Sequence, residues 1–172
     1  RLLACAGGLI LAQASHAIEL NFPVDCTLGE TCFIQNYVDA DPSPEYADFT
    51  CNRLSYDGHK GTDVALPSVR DMDEGVSVLA AANGTVVGLR DGVPEHLPGD
   101  EMRFPEGQDC GNGVLIAHDD GWETQYCHLR TGSVVVETGD AVIAGQPIGE
   151  MGMSGRTEFP HLHMSLRREG AV

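Results

Sequence analysis

From Gly58 to the end of the chain, apolar and polar residues alternate in short runs broken by glycine: "TDVALP", "GVSVLAAANGTVVGLR", "GNGVLIAHDDGWETQYCHLR", "SVVVETGDAVIAGQPIGEMG" and "HLHMSL". A period of two over a few residues marks strands with one face buried. Turn pairs at Asn83-Gly84, Asp120-Gly121 and Gly139-Asp140 predict antiparallel hairpins. No segment carries a sustained helical stripe, so the expected class is all-β. Residues 90–109, "RDGVPEHLPGDEMRFPEGQD", are rich in Pro, Gly and charge and read as one long loop of the kind that lines a cleft. Residues 18–57 show no clean period, and "DADPSP" marks a turn within them. They read as an arm fastened by cysteine onto the body.

Composition bounds what such a domain can do. The chain has 172 residues, 42% of them hydrophobic, which is enough for a single buried core. Its formal charge of −16 comes from 10 basic and 26 acidic residues, and Lys60 is the only lysine. That balance repels nucleic acid and anionic lipid, which leaves neutral, cationic or metal-mediated partners. The opening "RLLACAGGLILAQASHA", residues 1–17, reads as a secretory leader with small-residue cleavage positions at Ala14 or Ala17. Its apolar run is short for a stable membrane span, and lipid attachment at Cys5 ranks below simple cleavage. Behind the leader stand Cys26, Cys32, Cys51, Cys110 and Cys127. In an exported chain that odd number implies two bridges and one spare thiol. A Cys110–Cys127 bridge across the "HDDG" hairpin is plausible by position. The second bridge draws on Cys26, Cys32 and Cys51, with connectivity open.

The chemistry concentrates in histidine. In "SGRTEFPHLHMSLR", His161 and His163 lie two apart on a strand and so share a face, with Leu162 on the other. Two imidazoles on one face are costly to bury without partners, and metal or proton chemistry gives both a role. "GHKGTD" holds His59 and Asp63 four apart, and "QYCHL" places His128 near a strand end. Zinc accepts imidazole nitrogen and carboxylate oxygen in a tetrahedron whose fourth position, in catalytic sites, goes to water. His59, Asp63 and one member of HLH would supply three ligands. His128 and the other member would stay free for proton transfer. Each residue alone also has a bland reading as a satisfied structural group.

"HKGTD", "YCHL" and "HLH", in that order and separated by "ANGTVV" and "GQPIGEMGMSG", resemble the lysostaphin/LytM-type zinc endopeptidases over roughly residues 58–168. The resemblance implies antiparallel sheets forming a groove walled by loops, the lysostaphin-type or duplicated hybrid motif. It also implies a metallopeptidase domain over 58–172, a single Zn2+ held by His59, Asp63 and His163, and His128 with His161 as the catalytic pair. The implied partners are peptidoglycan peptides, with no nucleic acid and no stable membrane insertion after leader removal. The implied location is outside the cytoplasm, periplasm ahead of extracellular. Asn112, Arg156 and Thr157 are candidates for the substrate groove, and Ser154 precedes HLH in the same loop. The rival is a catalytically silent wall-binding or amidase-activating module on the same scaffold. A biotinyl- or lipoyl-carrier reading of "VETGDAVIAGQPIGEMG" fails because the sole lysine lies elsewhere.

Overall fold

A computed structural model of the protein describes residues 17–96 and 107–172. Among these the order is β1 (Phe33–Asn36), β2 (Thr62–Ala65), helical turn α1 (Val69–Asp73), β3 (Ser77–Leu79), β4 (Gly84–Arg90), β5 (Asn112–Ala117), β6 (Trp122–Leu129), β7 (Ala141–Val142), β8 (Pro147–Glu150) and β9 (His161–Arg168). Seven strands form one antiparallel sheet in the order β1-β2-β9-β6-β5-β4-β7, and β3 pairs with β8 in a small second sheet. The fold is mostly β, as the alternation predicts. The leader, but for Ala17, and residues 97–106 of the long loop lie outside the described residues.

Register separates chemistry from packing. Asp63 lies opposite His163, Val64 opposite Leu162, and Ala65 opposite His161. Directly opposed residues share a face, so Val64 and Leu162 turn inward while Asp63, His161 and His163 turn the other way. The inward face meets the small sheet. Val64, Val114, Ile116, Tyr126 and Leu162 from the large sheet cluster with Val78 and Ile148 from the small one. Tyr126 is fully buried, and its hydroxyl accepts a hydrogen bond from Ala81 N–H at 2.7 Å, which satisfies the buried phenol.

Three local expectations are corrected. The turn at Asp120-Gly121 does join a hairpin, β5 to β6. Asn83-Gly84 does not: β3 pairs with β8, and β4 pairs with β5 and β7. Between them Ala80, Ala81 and Ala82 pass buried from one sheet to the other. Small apolar residues allow that crossover and look like a continuing strand in sequence. Likewise, the residues just after Gly139-Asp140 pair with β4, and the return onto "SVVV" comes later, where Val135 N–H donates to Ile148 O at 3.2 Å and Glu150 N–H to the Ser133 hydroxyl at 3.0 Å. A third difference is α1, capped by the Ser68 hydroxyl, which accepts from Asp71 N–H at 3.3 Å. One turn is too short to print a helical stripe.

The N-terminal arm carries a disulfide, Cys26–Cys32, but the bridge closes a loop within the arm and does not cross to the body. Cys32 is buried in the core. Attachment comes from backbone pairing. β1 adds to β2, and Val24 bridges Val78 of the small sheet. The arm thus runs along both sheets. The second bridge, Cys110–Cys127, forms across the β5–β6 hairpin, and Cys51 is left free and exposed.

Candidate active site

The site is built from the outer face of β2, β6 and β9. His59 lies just before β2, where Gly61 makes room: a Cβ there would stand 2.6 Å from the His163 ring. The glycine in "HKGTD" is therefore a packing requirement of the opposed imidazole. His163 Nδ1 lies 2.8 Å from Asp63 Oδ1 and 3.1 Å from His59 Nε2. His59 Nε2 in turn lies 3.2 Å from Asp63 Oδ1. One donor atom from each of these three residues falls within 4.8 Å of the others. Sequence spacing left the choice between His161 and His163 open. Geometry separates them, because the nearest approach of His161 to the carboxylate is 3.7 Å through Nε2.

These residues fit a divalent cation by their hydrogen bonding. His59 donates Nδ1–H to the Tyr37 carbonyl at 2.7 Å, so in the neutral ring Nε2 is a lone pair. That lone pair points at a carboxylate oxygen and at another ring nitrogen, an arrangement of acceptors that calls for a cation or a proton among them. Burial alone would push His59 down, but the hydrogen bond and charge of Asp63 leave its pKa raised. Burial likewise works against the charge of Asp63, yet its contacts with the His163 and His59 rings, which become donors on protonation, hold it below the usual carboxylate range.

The other two histidines are held differently. His128 is the unpaired residue of a bulge: Asn112 faces Leu129 and Gly113 faces Cys127, leaving His128 between them at φ 65°. A non-glycine residue in that left-handed region is strained, and here the bulge has a consequence. It lets Leu129 turn into the core while His128 opens on the groove. The ring is fixed by Nδ1–H donation to the Ser154 carbonyl at 2.8 Å. His161 donates Nδ1–H to Thr157 Oγ1 and the Phe159 carbonyl, both at 3.0 Å. The two rings lie 4.6 Å apart by centroid. Burial, followed by the neighbouring His161, pushes His128 down to about 3. Burial also lowers His161, opposed by the Asp63 charge. At neutral pH both are neutral, with His161 Nε2 standing 3.7 Å from Asp63 Oδ1.

The groove around these groups is lined by Tyr56 and Asp57 from the end of the arm, by Asp109 and the Cys110–Cys127 bridge, and by Arg156 and Phe159. Arg156 is exposed and 4.0 Å from Asp109. Thr157 lines the groove too, but it is buried and its hydroxyl is committed to Phe159 and His161. Asn112 is not a groove residue. It is fully buried, accepts from Val93 N–H at 2.7 Å and donates to the Val93 and Leu129 carbonyls at 2.8 and 3.1 Å. Ser154 is also buried, its hydroxyl accepting from Asn112 N–H and donating to Leu129 O. Sequence reasoning missed the Tyr37 carbonyl and Asn36, whose amide donates to Asp63 Oδ2 at 3.1 Å. A backbone carbonyl leaves no mark in sequence, and a lone asparagine in an arm signals nothing.

An antiparallel sheet carrying a His, Asp, His donor cluster on the floor of an open groove defines a metallopeptidase type of scaffold. The model for Peptidase family M23 matches residues 57–172, and the chain belongs to that family. It is 34% identical over 108 residues to the peptidoglycan DD-endopeptidase ShyA of Vibrio cholerae, a match covering 63% of this chain and 20% of that protein. The cell division protein DipM of Caulobacter vibrioides is 32% identical over 94 residues, covering 55% and 13%. The catalytic domain of the prophage-encoded M23 protein EnpA from Enterococcus faecalis superposes with a TM-score of 0.55 at 25% identity, covering 83% of this chain and 85% of that one. The chain spans about a fifth of the length of the peptidoglycan endopeptidases it matches. Two disulfides and cell-wall relatives are features of an exported protein.

Proposed function

We propose that this chain is a zinc-dependent endopeptidase that hydrolyses peptide bonds in peptidoglycan cross-links or stem peptides. The observation that carries the reading is the division of labour among five side chains. Three converge their donor atoms around Asp63, and two neutral imidazoles keep Nε2 open to the same groove. A zinc ion held by His59 Nε2, Asp63 and His163 Nδ1 would supply Lewis acidity at neutral pH. His128 and His161, each anchored through Nδ1–H, offer Nε2 to accept a proton from the attacking water and return it to the leaving amine. In the protonated state the same imidazole would steady the developing oxyanion.

The direct cross-links of Gram-negative walls are the preferred substrate, which agrees with the activity named for ShyA. We take residues 1–17 as leader, 18–57 as the arm and 58–172 as the peptidase domain, with a periplasmic location. The alternative is a silent wall-binding or amidase-activating module, and a relative named only as a cell division protein keeps it in view. Survival of all five groups with both catalytic imidazoles neutral favours the enzyme. Incubation of the zinc-loaded protein with purified peptidoglycan tests this. New amino groups should appear, chelation should stop their release, and mass spectrometry of defined muropeptides should place the cut. Zinc-loaded protein that binds the wall without releasing amine would leave only the silent module.

A further inference from the structure

The arm touches the donor cluster twice. Asn36 Nδ2–H donates to Asp63 Oδ2 at 3.1 Å, and the Tyr37 carbonyl accepts His59 Nδ1–H at 2.7 Å. The same carbonyl also accepts from the buried Ser55 hydroxyl at 2.9 Å, so its direction is fixed from a second side. Asn36 also lines the groove, together with Tyr56 and Asp57 from the end of the arm. On an imidazole, Nδ1 and Nε2 lie on different edges, so Tyr37 holds His59 from the side away from the donors. Asn36 occupies the carboxylate oxygen that His163 does not use.

A defect in β1 makes this possible. Ile34 faces Val64 and Asn36 faces Asp63, which leaves Gln35 unpaired in a bulge. In an unbroken strand, positions 34 and 36 would share a face. Ile34 packs against the core, so without the bulge Asn36 would follow it inward. The extra residue turns Asn36 to the face of Asp63, as bulges beside functional sites do elsewhere.

We infer that the arm is a built-in part of the metal centre, with Asn36 a positioning residue that orients Asp63. The inference rests on the zinc reading above. A carboxylate with two free oxygens can rotate and bind a cation in several ways. With Oδ2 held by the amide, Oδ1 is directed at His163 Nδ1, and His59 Nε2 stands 3.2 Å from both oxygens. Partners of this kind are commonly worth 10–100-fold in metal affinity.

The test is zinc affinity, measured by competition with a chromophoric chelator on the full chain and on Asn36→Leu and Asn36→Gln. The electronic spectrum of the Co2+-substituted proteins reports coordination geometry independently of activity. We expect one zinc per wild-type chain and about 10–100-fold weaker binding in Asn36→Leu. Asn36→Gln, which restores an amide, should recover part of the affinity, and the cobalt bands of Asn36→Leu should shift. The metal-free melting temperatures should stay close together. Equal zinc affinity and an unchanged cobalt spectrum in both variants would overturn the positioning role. So would affinity loss fully matched by metal-free destabilisation. A wild-type chain that takes up no zinc would instead remove the metal reading itself, and the inference with it.

Discussion

His59 and His128 lie on one groove and have been given opposite chemistry. His59 faces a carboxylate and its pKa rises, whereas His128 faces a carbonyl through Nδ1, is buried beside His161, and falls to about 3. Asp63 accounts for the difference. Its oxygens meet His163 and His59 directly but stand 3.7 Å from the nearest nitrogen of His161. Titratable groups driven apart by their surroundings mark the assignment of roles. The cluster around Asp63 stabilises positive charge, and the pair beside it stays neutral. The β2–β9 register sets Asp63, His161 and His163 on one face, and a bulge on β6 turns His128 to meet them.

Replacing residues in each subset should break the comparison cleanly. The largest effect is expected from Asp63→Ala, which should bring both bound zinc and amine release to background. Metal analysis and the peptidoglycan assay read the two together. His128→Ala and His161→Ala should each lower amine release about 10²–10⁴-fold while one zinc per chain is retained. Zinc loss in either variant would merge the two subsets. Paired Cys110→Ser and Cys127→Ser should cost about 2–4 kcal/mol in a denaturant melt. Activity should fall beyond that loss, because the bridge adjoins His128 and Cys110 O accepts His128 N–H at 2.8 Å.

The smallest expected effect sharpens the contrast through pH. The folded-state pKa of His128 lies below its ordinary value of 6.5, so the unfolded chain binds its proton first. Its contribution to stability is therefore complete above about 6.5 and lost as pH falls toward 3. His59 runs the other way, contributing below its ordinary value and losing that contribution as pH rises through its elevated one. Melting of metal-free protein should accordingly drop between pH 7 and pH 5, and His128→Gln should flatten the drop. An unchanged slope in that variant would place the acid sensitivity on His161, which burial also lowers, since Asp63 loses its own contribution only at still lower pH.

Much of this was legible in the chain. Period-two alternation in "HLHMSL" predicts that both imidazoles share a face, and the pairing of β9 with β2 realises it. The order of HKGTD, YCHL and HLH carries the family. What stayed hidden follows from long-range pairing. Spacing alone could not choose His163 over His161, a choice the family resemblance supplied; the contact that favours it joins residues 100 apart in sequence. The bulges at Gln35 and His128 are invisible because an extra residue looks the same as a paired one. Asn112 misled for a related reason. Its polarity suggested an exposed amide, yet the descent of the 91–96 segment onto β5 gives that amide three carbonyl and N–H partners in the interior. Asn83-Gly84 has hairpin chemistry, but the buried alanines before it lead the chain to a different sheet.

Anomalous scattering at the zinc edge from crystals of the purified chain tests the central claim most directly. The account predicts one peak at about 2.0–2.2 Å from His59 Nε2, His163 Nδ1 and an Asp63 oxygen, with His128 and His161 outside bonding distance. A peak ligated by His128 or His161, or zinc bound only away from Asp63, would contradict it.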